Sequence, residues 1–141
     1  MTRALAALAR RDHARAELAR KLAPHGECAE IEVVLERLQA EGYLSDRRFA
    51  QSFIEARQSG YGPRYLRHQL EARGVDRDVV EEALTSASED EGTRLADLWR
   101  RRFGAPASSP TEWSRQYRYL VRHGFDAALV RRLLRNRETG Q

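Results

Sequence analysis

The sequence predicts an all-α protein, with three tandem three-helix repeats, about nine helices, stacked into an elongated, curved array. Three observations predict it. Apolar residues recur at helical spacing, as in Ile31, Val34, Leu35 and Leu38, and no segment sustains the alternation of a strand. One helix-ending pattern, Leu-x-x-x-Gly and then an apolar residue, occurs at Leu38-Gly42-Tyr43, Leu70-Gly74-Val75 and Leu120-Gly124-Phe125. Charge alternates in blocks with a period near 45 to 50 residues.

The first repeat, residues 1–44, opens on "MTRALAALARRDH". Its apolar run is broken within a few residues, too short for a signal peptide's core or a membrane span. The third helix, "EIEVVLERLQAE", ends at Gly42. There glycine adopts the left-handed conformation at C′ and the next residue, Tyr43, packs back onto the last turn. The second repeat, residues 45–88, starts with Ser45 or Asp46 as cap. Its first helix buries Phe49, Ala50, Phe53 and Ile54, and Gly60-Tyr61-Gly62 breaks it. Pro63 suits the first turn of the helix that follows.

After Gly74 and Gly124 an aspartate comes at once, Asp76 and Asp126, each placed to cap the next helix. Val75 and Phe125 then form hydrophobic staples to Val80 and Val130. The third repeat, residues 89–141, contains a longer turn, "GAPASSPTE", where Thr111 or Ser109 caps the eighth helix. Ile31, Val34 and Leu35 map onto Val80, Ala83 and Leu84, and those onto Val130, Leu133 and Leu134, at shifts of 49 and 50. One repeat buries too little surface to stand alone, so neighbours must stack.

The basic balance is almost wholly arginine, 24 Arg against the single Lys21. A GC-rich genome explains that choice as readily as a need for guanidinium forks on phosphates or carboxylates. Residues 1–26 carry +4, 27–46 carry −5, 47–73 carry +4, 74–92 carry −6 and 93–141 carry +7. If equivalent helices lie on equivalent sides, basic helices line up along one side and acidic ones along another. The last repeat replaces its acidic helix with "VRRLLRNR", which points to a polyanion or an acidic protein as partner. Tyr117, Tyr119 and Trp113 lie among these arginines and divide between core packing and stacking on a ligand.

Chemistry is sparse. Cys28 is the only cysteine, which excludes an internal disulfide and fits a reducing, cytoplasmic setting. His13, His25, His68 and His123 are scattered, and His25-x-x-Cys28 has no second pair to complete a zinc site. Glycine-rich nucleotide loops and a nucleophile elbow are missing. The expectation is a non-enzymatic protein without metal or cofactor.

The stretch "GYLSDRRFAQSFIEARQSGYGPRYLRHQLEARGVDRDVVEEAL" resembles the central signature of the RecX family of recombination regulators. The match falls on Gly42, Tyr43, Leu44, Asp46, Arg48, Phe49, Ala50, Arg57, Gly60, Gly62, Pro63, Leu66 and Leu70. "HARAELARKL" resembles the family's first repeat and "SRQYRYLVRHGFD" its third. Ala14 departs from it, standing where relatives commonly have a capping serine, so Asp12 is expected to cap the second helix instead. Pro24 and Glu27 depart too, and a looser first corner is expected.

The resemblance implies a negative modulator of the RecA recombinase. It would bind the RecA–single-stranded DNA filament and lower its extension, strand exchange, ATP hydrolysis and coprotease activity, affecting recombination, DNA repair and the SOS response. Implied partners are the RecA filament and single-stranded DNA, with double-stranded DNA a weaker prospect, no membrane, and a monomeric state. Candidate contact residues are Arg48, Arg57, Arg64 and Arg67 in the second repeat and Arg115, Arg118, Arg122, Arg131, Arg132 and Arg135 in the third. A plain DNA-binding helix-turn-helix module and a HEAT-type scaffold are the alternatives.

Overall fold

The computed structural model describes residues 1–87 and 90–138. Among these, nine α-helices and one 3-10 turn succeed one another without a strand: α1 (Thr2–Arg10), α2 (Arg15–Leu22), the 3-10 turn (Ala23–His25), α3 (Cys28–Ala40), α4 (Asp46–Arg57), α5 (Pro63–Ala72), α6 (Arg77–Thr85), α7 (Glu91–Arg102), α8 (Pro110–Arg122) and α9 (Ala127–Glu138). They form two compact units, residues 1–54 with 69–86 and residues 55–68 with 87–141. The chain of α4 and of α5 is thus shared between both.

In the first unit, Ala4 and Ala7 of α1 meet Leu18 and Leu22 of α2, Leu35 and Leu38 of α3, and Leu44 in one core. Phe49 and Phe53 are buried, as their spacing predicts, with ring centroids 5.9 Å apart. The glycine corners form as expected. The Gly42 N–H donates to the Gln39 carbonyl at 3.1 Å and the Tyr43 N–H to Leu38 at 2.9 Å, with Gly42 at φ +83°. Gly74, at φ +84°, repeats this with Glu71 at 3.0 Å, and Val75 with Leu70 at 3.2 Å.

Tyr43 departs from expectation, because it stays 53% exposed while Leu44 is 2% exposed. The reason is the next cap. The Arg48 N–H donates to Ser45 Oγ at 3.1 Å, so α4 is capped by Ser45 and its inward staple position falls on Leu44. At Gly74 and Gly124 the following helix starts one residue sooner, and there Val75 and Phe125 are buried.

The cap of α2 is also a correction. Asp12 does not serve it; its carboxylate pairs with Arg48 Nε at 3.0 Å. Asp46, freed from capping its own helix, accepts the Arg15 N–H at 2.7 Å, and Glu17 accepts the Ala14 N–H at 3.1 Å. The acceptor that Ala14 lacks is supplied from the second repeat. Asp76 takes an extended N-cap conformation but makes no side-chain bond into α6. The first repeat's internal corner is the 3-10 turn ending at an extended Gly26.

In the second unit, Leu95, Leu98, Trp99, Leu120, Phe125, Val130 and Leu134 close the core, which joins Phe125 to its staple partner. Gln116 is buried with its amide satisfied, accepting the Trp99 Nε1–H at 3.0 Å and donating to the Ala105 carbonyl at 3.2 Å. Ser109 caps α8 by accepting the Glu112 N–H at 3.1 Å, and Asp126 caps α9 by accepting from Leu129 at 3.1 Å. Gly104, at φ +72°, adds a left-handed helix end after α7, inside the longer turn.

The repeats dock by one geometry, seen once in each unit. A β-carbon at Gly74 would stand 2.5 Å from Ala16 Cβ, and one at Gly124 would stand 2.5 Å from Tyr65 Cβ. Each glycine corner therefore sits on the first turn of the second helix of the preceding repeat. In the second unit the backbones also bond: the Gly62 N–H donates to the His123 carbonyl at 2.7 Å and the Arg64 N–H to Gly124 at 3.1 Å. The open carbonyls ending α8 thus satisfy the open N–H groups starting α5. Gly62 is glycine because a side chain there would lie 2.5 Å from the Gly124 carbonyl oxygen.

Gly42→Ala adds only left-handed strain, about 1 kcal/mol, since nothing lies within 4 Å of the new methyl. Gly74→Ala adds the clash with Ala16 and should cost clearly more in urea denaturation; equal losses would refute the docking contact. Asp46→Ala should cost about 1 kcal/mol by uncapping α2, read by the same method. Burial lowers the pKa of His13 below its ordinary 6.5, outweighing its hydrogen bond to the Arg11 carbonyl. The unfolded chain then takes up a proton that the fold resists, so stability is full above about pH 6.5 and falls as pH drops below it. His13→Gln should flatten that dependence in urea midpoints measured across the same pH range.

Candidate nucleic-acid interface

The alternating charge blocks are explained inside the first unit. Arg15 on α2 pairs with Glu32 and Glu36 on α3, and Arg47 on α4 pairs with Glu82 on α6. Arg11–Glu17, Arg37–Glu41 and Arg77–Glu71 add further pairs. The acidic third helices of the first two repeats thus face basic helices of their own repeats, instead of forming a separate acidic side. Exposed pairs of this kind contribute little stability each. Their larger effect is to remove these arginines from the pool available to a partner.

Arg48 spans a corner: besides Asp12, it donates to the Gly42 carbonyl at 3.1 Å and to the Tyr43 carbonyl at 3.0 Å. Arg57 and Arg67 are half-buried and engaged within the fold. Arg64 is exposed and pairs with Asp126 at 3.1 Å, which ties the start of α5 to the cap of α9. Other arginines that the sequence would leave on the surface are structural. Arg94 is 5% exposed and reaches the Tyr61 carbonyl, Arg101 donates to the Ser59 carbonyl, and Arg73 lies 4.9 Å over the Phe53 ring.

The third repeat differs. Arg115, Arg118 and Arg122 fall at i, i+3, i+7 on α8, opposite the buried Gln116 and Leu120, and all three are exposed. On α9, Arg131, Arg132 and Arg135 are exposed on the side away from Val130 and Leu134. Among the described residues no ion pair joins any of these six to a carboxylate. Arg115 stands close enough to Glu112 to help two Ser108 hydrogen bonds hold that carboxyl below its usual range. Arg131 lies 6.0 Å from the Tyr117 ring centre and donates to the Tyr117 hydroxyl at 3.1 Å. Arg135 lines an open hollow of about 570 Å³ with Trp113, Pro110 and Glu138.

The aromatics among these arginines, Trp113, Tyr117 and Tyr119, are half-buried and stack on neighbouring rings. Trp113 and Tyr117 stack at 5.4 Å, half-buried against the second unit's core. A second column runs Tyr65, Tyr61, His123, Tyr119 at centroid steps of 4.0, 4.9 and 4.1 Å, with Arg102 lying 5.1 Å over Tyr119. His123 Nδ1 is fixed 3.0 Å from the Gly60 carbonyl oxygen. Stacked guanidinium and ring faces are what unpaired nucleic-acid bases and phosphates meet on single-strand binders. Among the described residues no cluster of His, Cys, Asp or Glu gathers to hold a metal, and no helix is long and apolar enough to cross a membrane.

Comparison with known proteins agrees with this architecture. Residues 45–84 match the family model of the second three-helix domain of RecX, and residues 89–134 that of the third. Regulatory protein RecX of Leptothrix cholodnii is 46% identical over 94% of this chain and 85% of its own length. Its counterpart in Ralstonia nicotianae is 41% identical over 94% of this chain and 84% of its own. The crystal structure of RecX from Lactobacillus salivarius superimposes with a TM-score of 0.77 at 19% identity, covering 98% of this chain and 94% of that one, and so supports the fold.

Proposed function

The chain belongs to the RecX family, and from that premise we propose that it regulates the RecA recombinase by binding the RecA–single-stranded DNA filament. Bound there, it limits filament extension and so lowers strand exchange, ATP hydrolysis and coprotease activity, restraining recombination, repair and the SOS response. It acts as a cytoplasmic monomer without a cofactor, through three repeats bounded at residues 1–44, 45–88 and 89–141.

One observation carries this reading. Arg115, Arg118 and Arg122 of α8 and Arg131, Arg132 and Arg135 of α9 are exposed and form no ion pair among the described residues, whereas the acidic helices of the earlier repeats neutralise their own basic neighbours. Arg115, Arg118, Arg122, Arg132 and Arg135 are the first contacts for phosphates or acidic protein groups. Arg131 presents its guanidinium from the Tyr117 ring. Arg48, Arg57, Arg64 and Arg67 are further candidates, each already engaged within the fold. Arginine suits the task because its planar fork binds phosphate or carboxylate through two bonds and stays charged throughout.

RecA-dependent ATP hydrolysis on single-stranded DNA, titrated with this protein at low and moderate salt, tests the proposal. Substoichiometric inhibition should persist at moderate salt, where contacts to bare DNA phosphates have weakened steeply. Arg118→Glu combined with Arg122→Glu should raise the half-inhibiting concentration about tenfold, since each exposed charge contact carries up to about 1 kcal/mol and here reverses sign. The melting temperature should stay unchanged. Inhibition that appears only at low salt, in step with binding to bare DNA, would favour a plain nucleic-acid module instead.

A further inference from the structure

A second group of uncompensated cations lies in the first repeat. Arg3 and Arg10 of α1, Lys21 of α2 and His25 of the 3-10 turn surround a cavity of about 210 Å³ floored by Ala7 and Leu22. No carboxylate lines it. Arg3, Arg10 and Lys21 make no hydrogen bond or ion pair among the described residues, although Arg11 and Arg15, on the same stretch of chain, are paired.

Local folding accounts for only part of the group. Arg10 and Lys21 sit in last turns, where a cation suits the helix dipole. Arg3 sits in the first turn of α1, which has no acidic residue, and there a cation opposes the dipole. Gathering like charges around a hollow also costs self-repulsion, which a bound anion removes. The apolar floor keeps water off one side of such an anion and strengthens each charged contact.

We propose that this hollow binds the phosphate of a phosphate ester, with Arg3, Arg10 and Lys21 as its charged donors and His25 as a ring N–H donor. An adjoining hollow of about 300 Å³ shares Arg3, Leu22 and His25 and adds Ile31, Val34 and Glu30. The organic part of the ester lies against its apolar wall, and Glu30 accepts a hydrogen bond from a hydroxyl or amino group there. A carboxylate in the adjoining hollow, and none in the phosphate hollow, favours an ester carrying donors over a bare anion. A free nucleotide and the phosphorylated end of a nucleic-acid strand present the same chemistry. The proposal does not depend on RecA regulation, because it concerns the isolated chain.

Amide NMR of the full chain, titrated with thymidine 5′-monophosphate at fixed ionic strength, tests it. Saturable shifts confined to α1, α2, the 3-10 turn and the first half of α3 are expected, with none from thymidine and weaker ones from inorganic phosphate. Arg3→Gln with Lys21→Gln should weaken binding at least about tenfold while leaving the melting curve intact. If that double variant folds poorly, Arg3→Gln alone provides the comparison. A 5′-phosphorylated octathymidylate that binds more tightly than its unphosphorylated form assigns the source to strand ends, and one no tighter than the mononucleotide assigns it to free nucleotides. Shifts that do not saturate, that spread over α8 and α9, that thymidine reproduces, or that survive the substitutions would overturn the proposal.

Discussion

The fold depends on a close approach between a glycine corner and the first turn of another helix. Gly74 meets Ala16 in the first unit, and Gly124 meets Tyr65 in the second, each so near that one methyl group would not fit. Two requirements converge on the same residue: a left-handed helix end, and room for a neighbouring helix to press against it. In the second unit the approach is tight enough for α8 to lend its terminal carbonyls to the first N–H groups of α5. Two helix ends that would otherwise need water or side chains satisfy each other. The buried Val75 and Phe125, one residue beyond each glycine, then fix the direction in which the chain leaves.

Around these corners the arginines divide into two populations. Many are part of the scaffold: Arg48 bridges a loop, Arg64 joins two caps, Arg94 is buried, and Arg15 and Arg47 answer the acidic helices. The remainder, on α8 and α9 and around the hollow of the first repeat, lack such partners. A high arginine content is therefore a poor measure of binding surface. What matters is the local balance, because a guanidinium already forked onto a carboxylate must give up those bonds to bind anything else.

The family signature has a similar double character. Leu44, Phe49, Ala50, Leu66 and Leu70 are buried, Gly62 allows a backbone contact, and Asp46 caps a helix in another repeat. These residues build helix cores, caps and a close backbone contact, and a pattern of that kind is legible in a sequence. Tyr43 is the exception, exposed where the corner rule would bury it, because Ser45 and not Asp46 caps α4. The choice between two adjacent capping residues moved the inward position by one, and nothing in the spacing alone distinguished them.

Helix content, the repeat and the three Leu-x-x-x-Gly corners were determined by the sequence itself. Periodicity, left-handed glycine ends and staples are local in the chain, set by residues within about one turn of each other. Which cations remain unpaired was decided only by the tertiary structure. A lost cap at Ala14 was met from Asp46, the basic blocks were matched by Glu32, Glu36 and Glu82, and Arg3, Arg10 and Lys21 were brought to one hollow. Each of those outcomes joins separate elements of the fold, and the meeting of two side chains from different helices is a property of packing that no local spacing encodes.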